Sequence, residues 1–138
     1  MYLIDTNVIS ELRRKGKANP GVKQFFKHCA QHQTPLFVSV ITIGELRRGV
    51  ELIRYRGDHN QAQQLEDWLQ TIVATYAECI LDFTETESQV WGRLRVPHHE
   101  NAIDTQIAAT ALTSGLTLVT RNVSDFANSG VPVVNPFT

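Results

Sequence analysis

The sequence predicts an α/β fold in which a sheet is built through crossover helices. Two observations carry the prediction. Short apolar runs alternate with longer amphipathic segments along the whole chain, the pattern of strands joined by crossover helices. Four acidic residues, Asp5, Glu45, Asp104 and Asp125, each stand just after a strand-like run or at the head of a helix-like run. The length of 138 residues sets a single domain, residues 1–138. A chain of about this size buries roughly two thirds of its unfolded surface, enough for a real core.

Tyr2-Leu3-Ile4 reads as the first strand. Val8, Ile9 and Leu12 follow at helical spacing, and Arg13-Arg14-Lys15-Gly16-Lys17 ends that helix with cations and a glycine, both suited to a helix C-terminus. Asn19-Pro20 supplies a cap and a first-turn proline for a second helix through Val22, Phe25, Phe26 and Cys29. Leu36-Phe37-Val38 is the next strand. Thr42-Ile43-Gly44-Glu45 opens a third helix that runs to about Arg56. A fourth runs from about Asn60 to Tyr76, with Leu65, Trp68, Leu69, Ile72 and Val73 on one face.

Cys79 to Phe83 reads as a strand, and Thr84-Glu85-Thr86-Glu87 as a capping box opening a helix towards Leu94. Pro97-His98-His99-Glu100-Asn101 is a polar loop. A small-residue helix spans Ile103 to Ser114 and is closed by Gly115. Leu116 to Thr120 is the clearest strand, and Val131-Pro132-Val133-Val134 is a short edge strand.

Composition bounds the function classes. The chain is 42% hydrophobic and 20% charged, ordinary for a soluble globular protein. No apolar run approaches the roughly 20 residues that span a bilayer. The N-terminus lacks a basic n-region, so no signal peptide is expected. Two cysteines, Cys29 and Cys79, suggest neither a disulfide framework nor a thiolate metal site, and a reducing cytoplasm is the expected location. The net charge of −1 hides an asymmetry: residues 1–60 carry ten Lys/Arg against five Asp/Glu, and residues 61–138 three against nine. A basic first half can attract a polyanion; solvated helix faces are the plainer reading.

In open parallel sheets, ligands bind outside the carboxyl ends of the strands. Asp5, Glu45, Asn122 and Asp125 all follow strands, and Asp104 heads the helix that leads into one. Each acid also has a local explanation. Asp5 can cap the first helix, Glu45 can be the N3 residue of a box with Thr42, Asp104 suits the dipole of its helix, and Asp125 suits a turn. A shared sheet edge is what capping does not require. Gathered there, the four carboxylates repel one another and call for a bound cation, a shared proton or a basic partner. Mg²⁺ and Mn²⁺ take such oxygen ligands and support hydrolysis of a phosphodiester, with one ion or two. Asn122 serves as a neutral ligand or water-positioner, and Thr6, Asn7 and Thr120 hold the carboxylates in place.

The segments Leu3 to Glu11, Ser39 to Gly49, Asp104 to Ala111 and Val119 to Phe126, with Val134-Asn135-Pro136-Phe137 at the close, together resemble a PIN domain, in the FitB-like branch of the VapC toxins. The resemblance spans nearly the whole chain. It implies a three-layer α/β/α fold with a central, mostly parallel sheet flanked by helices. It implies an Mg²⁺- or Mn²⁺-dependent endoribonuclease, the toxin of a type II toxin–antitoxin pair, acting on structured RNA such as tRNA or rRNA. The family's metal-site roles carry over onto Asp5, Glu45 and Asp104. The fourth position departs from the family: Asn122 stands where many relatives place Asp, and Asp125 comes three residues later. The resemblance also implies a homodimer and a small antitoxin with a DNA-binding domain, through which operator DNA is bound.

Arg13, Arg14, Arg47 and Arg48 are the candidate RNA contacts, since phosphate contacts position a nucleic acid without reading it. For Lys15 and Lys17, charge complementarity with a helix end is the preferred reading. Arg47, within a turn of Glu45, can alternatively pair with the acidic cluster. His98-His99 lacks a spaced third ligand and reads as solvated loop; Trp68 and Trp91 read as packing residues. Two other functions share these features: an inactive PIN-like module receiving a basic peptide in its acidic groove, and an Mg²⁺-dependent phosphatase. An Asp-x-Asp nucleophile motif for the latter is absent, because Thr6-Asn7 follows Asp5.

Overall fold

The computed structural model describes residues 1–97 and 101–138; His98, His99 and Glu100 of the expected polar loop lie outside the described residues. The elements follow in the order β1 (Tyr2–Ile4), α1 (Thr6–Leu12), α2 (Pro20–Gln31), β2 (Leu36–Ser39), α3 (Val40–Tyr55), α4 (His59–Thr75), β3 (Ile80–Leu81), α5 (Glu85–Leu94), α6 (Ala102–Ser114), β4 (Thr117–Val119) and β5 (Val133–Val134). Two 3₁₀ turns, Lys15–Lys17 and Val123–Phe126, join them. The strands form one sheet in the order β3-β2-β1-β4-β5, and every pairing is parallel.

Strand side chains alternate between faces, and this alternation splits the core in two. Ile4, Val38 and Val119 face one layer, where Val8, Ile9, Val22, Leu46, Val50, Leu65 and Leu69 of α1 to α4 cover them. Leu3 and Leu118 face the other, against Ile107, Ala108 and Ala111 of α6 and Phe126. Each large side chain sealed in this way contributes roughly 1.5–3 kcal/mol. In α6 the run from Ile107 to Ala111 is buried, and its small side chains let the helix lie close on the sheet. The result is the expected three-layer α/β/α architecture.

Several boundaries differ from the sequence expectation. Helix α3 begins at Val40, capped by the Ser39 hydroxyl accepting from the Ile41 N–H at 3.0 Å, so Thr42 and Glu45 form no capping box. Strand β2 hands the chain to α3 with no loop between them, and the cap is therefore the last strand residue. Gly16 does not close α1; the chain leaves through the 3₁₀ turn, with Lys15 in the left-handed region at φ 54°. Val73 is exposed, off the buried stripe of Ala62, Leu65, Leu69 and Ile72. The strands expected at Cys79, Leu116 and Val131 are shorter than their apolar runs, spanning Ile80–Leu81, Thr117–Val119 and Val133–Val134. The capping box of α5 and the left-handed Gly115 at φ 64° are as expected.

Asn19 has two tasks. Its side-chain oxygen caps α2 through the Gly21 N–H at 2.9 Å, and it also accepts from the Thr138 N–H at 3.1 Å. The last residues thereby lie against α2 so closely that a Cβ on Gly21 would stand 2.2 Å from the Pro136 carbonyl oxygen.

Candidate functional site

The sheet order places a topological switch at β1. From β1 the chain steps outward to β2 and β3, then returns to β4 on the other side of β1. Crevices outside the carboxyl ends of strands at such a point are where open α/β sheets bind ligands. Asp5 is the first residue past β1, and Thr120 the first past β4.

Asp5 is the hub. Its side chain is buried, and three donors hold it. The Thr6 N–H reaches Oδ1 at 2.8 Å. The Thr120 hydroxyl reaches Oδ2 at 2.8 Å and the Asn7 amide reaches it at 3.3 Å. The cap and the site are one arrangement, since the bond from Thr6 N–H also opens α1. Thr120 is itself fully buried and accepts from the Asn122 N–H at 3.1 Å and the Asn7 amide at 3.2 Å. Asn7 Oδ1 accepts from the Arg121 N–H at 3.0 Å. The ends of β1 and β4 are thus laced together around one carboxylate.

The remaining acids approach from separate elements. Glu45, in the second turn of α3, accepts from the Thr6 hydroxyl at 2.9 Å, and Thr42 Oγ1 lies 3.4 Å from the same hydroxyl. Asp104 stands in the first turn of α6. Asp125 lies in the exposed 3₁₀ turn after β4, its N–H donating to the Asn122 carbonyl at 3.1 Å. The Asn122 side chain caps nothing there.

Their charges are felt across the site. Burial pushes the Asp104 carboxyl up to about 6, and Asp5, Asp125 and Glu45 push it the same way. Burial raises Asp5 too, with Thr120, Thr6 and Asn7 opposing and Asp125 adding to the rise. Glu45 is raised by burial, opposed by the Thr6 hydroxyl and by Arg48, and raised by Asp5. Asp5, Glu45 and Asp104 are each raised in part by a neighbouring acid, and with the charge of Asp125 they form a basin of negative potential. A hard cation fits the donor set, which is all oxygen: carboxylates, hydroxyls and amide carbonyls. Among the described residues, no three His, Cys, Asp or Glu side chains are grouped so that they alone could hold a metal ion. An open site completed by water suits Mg²⁺, which commonly takes one or two carboxylates and keeps several waters.

The basic candidates divide. Arg47 turns away from the acids: its guanidinium grips Glu66 at 2.6 and 2.7 Å and reaches Glu51 at 3.2 Å. It ties α3 to α4, so the alternative that Arg47 neutralises the cluster is not realised. Arg48 acts on Glu45 instead. Arg13 lies 6.0 Å from the Trp68 ring centre, and Arg14 pairs with Glu11 at 3.3 Å. Trp68 packs on the core as expected, while the Trp91 indole donates to the Ala102 carbonyl at 3.1 Å and carries the Arg95 guanidinium 5.2 Å from its ring centre. Residue patterns missed Glu11. It is a buried carboxylate that accepts from the Asn19 N–H at 2.7 Å, and only its place on the apolar side of α1 hinted at burial. Arg121 was missed as well, although it directly follows Thr120.

No helix among the described residues is long and apolar enough to cross a membrane. The PIN domain family profile matches residues 2–128. Toxin FitB of Neisseria gonorrhoeae is 33% identical over 142 residues, covering 99% of both chains. VapC ribonuclease Y4jK of Sinorhizobium fredii is 31% identical over 143 residues, covering 99% of this chain and 98% of its own. Among solved structures, that of FitAcB from Neisseria gonorrhoeae superposes with a TM-score of 0.85 at 32% identity, covering 99% of this chain and 98% of the other. A structure of FitAB bound to an IR36 DNA fragment gives 0.78 at 30% identity, covering 100% and 96%. Sheet order, acid placement and full-length similarity therefore converge, and the chain belongs to the PIN-domain family, in its VapC/FitB toxin branch.

Proposed function

We propose that this protein is a divalent-metal-dependent endoribonuclease and the toxin of a toxin–antitoxin pair. One observation carries the reading: the ends of β1 and β4 are laced around the buried Asp5 carboxylate, with Glu45 of α3 held beside it by the Thr6 hydroxyl, and burial and these acids push Asp104 up to about 6. Capping alone would not crowd these charges. The similarity to a protein named as a VapC ribonuclease supports RNA as the substrate.

In this reading Asp5 and Asp104 are the principal ligands of Mg²⁺ or Mn²⁺. Glu45 acts through water or orients the attacking water, and Asp125 with Asn122 completes the shell. A bound hard cation supplies Lewis-acid polarisation of the phosphate and lowers the pKa of bound water. The chain's own residues do the rest. Thr120, Asn7 and the Thr6 N–H fix both Asp5 oxygens, so no reorganisation is needed when charge develops nearby. The Thr6 hydroxyl fixes Glu45. The reaction adds water to phosphorus and breaks one P–O ester bond, and the departing oxygen gains the proton the water loses.

By the family resemblance, the protein works as a homodimer and is held inactive by a small antitoxin that carries the DNA-binding domain. The DNA-bound FitAB complex supports contact with operator DNA through that partner. Asp5→Asn keeps the size and much of the hydrogen bonding of the hub while removing its charge. RNA cleavage by this variant should vanish while its circular dichroism spectrum stays that of the wild type. Cleavage retained by folded Asp5→Asn, with contaminating nuclease excluded, would defeat the reading.

A further inference from the structure

Next to the acidic hub lies a second polar feature of opposite sign. A cleft of about 250 Å³ is lined by Arg14, Lys17 and Arg121, with Glu11, Asn19 and Phe137 completing its walls. Its charge is unbalanced. Glu11 is already engaged by Arg14 and by the Asn19 N–H. Among the described residues no carboxylate pairs with Lys17 or Arg121. The cleft is open to solvent and has room for a phosphate group on a longer chain.

Its construction is specific. The Arg121 guanidinium lies over the Phe137 ring, 4.9 Å from its centre, a contact that steadies the cation without neutralising it. Phe137 is placed by the tail that Asn19 holds through Thr138. The Arg121 N–H donates to Asn7, whose amide reaches both Asp5 and Thr120. The cationic wall is thus one residue from the hub, on the same strand end. Lys17, read from the sequence as a helix-end charge, sits in the 3₁₀ turn that brings it to the same cleft.

We propose that Arg14, Lys17 and Arg121 form a phosphate-binding subsite that holds the RNA backbone beside the bond to be cut. The proposal rests on the ribonuclease reading and extends it. An RNA strand laid across the carboxyl end of the sheet meets the acids at the scissile phosphate. It meets the cations at a flanking one, which fixes its direction through the site without selecting its bases.

The test uses binding by the cleavage-deficient Asp5→Asn protein, so that affinity is read apart from turnover. A short single-stranded RNA oligonucleotide is titrated at several salt concentrations. Adding Lys17→Gln and Arg121→Gln together should weaken binding about tenfold, the scale of one lost charge-assisted contact. The salt slope should fall by about 0.7, the value for one phosphate on a single strand. Lys27→Gln with Arg56→Gln makes the same charge change away from the cleft and should leave affinity within about twofold. Unchanged affinity and slope in the cleft variant would overturn the subsite, as would an equal loss in the control pair. Arg121→Lys in place of Arg121→Gln should recover part of the affinity; a folded variant that recovers none would point to the Phe137 contact alone and overturn the phosphate role. Failure of the ribonuclease reading appears separately, as cleavage that survives Asp5→Asn.

Discussion

Replacing Asp104 with Asn should stabilise the metal-free protein. The Asp104 carboxyl is moved from 3.8 to about 6, about two units, or ~3 kcal/mol at 1.36 kcal/mol per unit. Asp104 is only half buried, and solvent screening reduces this to about 1.5 kcal/mol. The carboxylate also favours the N-terminus of α6, and Asn forfeits about 0.5 kcal/mol of that. The net expectation is a gain of about 1 kcal/mol at neutral pH. The sign fixes the pH window. A carboxyl raised in the folded state holds a proton that the unfolded chain releases between about pH 4 and pH 6, so wild-type stability falls as pH rises through that interval. Asn carries no such penalty. Urea unfolding in the presence of a chelator, followed by tryptophan fluorescence, should give matching stabilities near pH 4 and a lead for Asp104→Asn that opens through pH 6 and then stays constant. A variant less stable than wild type at neutral pH, or a difference independent of pH, would refute the claim that the acids repel one another there.

Three further outcomes follow from the same geometry. Thr120→Val removes the fully buried hydroxyl that donates to Asp5 and accepts from Asn122 and Asn7; it should cost about 2–3 kcal/mol at neutral pH by chemical denaturation, and less in acid, where Asp5 is protonated. Gly21→Ala drives a Cβ against the Pro136 carbonyl and should cost about 1–3 kcal/mol while displacing the tail, visible as a changed Phe137 environment by NMR. With metal saturating, the RNA cleavage rate should rise with pH along an acid limb that lies below about 6, because a cation favours the ionised form of Asp104; a flat profile from about pH 4 to pH 7 would contradict this.

Much of the fold was legible because its signals are local. The alternation of Leu3 with Ile4 and of Leu118 with Val119 is a period-two pattern that assigns each residue to a face. The Thr84 to Glu87 box and the left-handed Gly115 are likewise written in a few adjacent residues. Glu45 shows the limit. A Thr at 42 and a Glu at 45 imitate a capping box, but tertiary packing starts the helix at Val40 and leaves Glu45 on the Thr6 hydroxyl, 39 positions away in sequence. The pairing of Arg47 with Glu66, rather than with the acidic cluster, has a similar reason: Glu66 is brought to it by the packing of α4 on α3. The cleft of Arg14, Lys17 and Arg121 joins residues more than a hundred positions apart, and no local pattern announces it. Order along the chain singled out the acids as candidates, while the sheet's switch at β1 explains why Asp5 and Thr120 stand at the same strand end.

The central claim is that Asp5, Glu45, Asp104 and Asp125 together hold a divalent cation. Calorimetric titration of Mn²⁺ into the protein near neutral pH tests it without any RNA. Saturable binding that weakens as pH falls below about 6, and that is lost in both Asp5→Asn and Asp104→Asn, is the predicted result. Absence of saturable binding to the wild type, or binding by both variants as strong as that of the wild type, would contradict it.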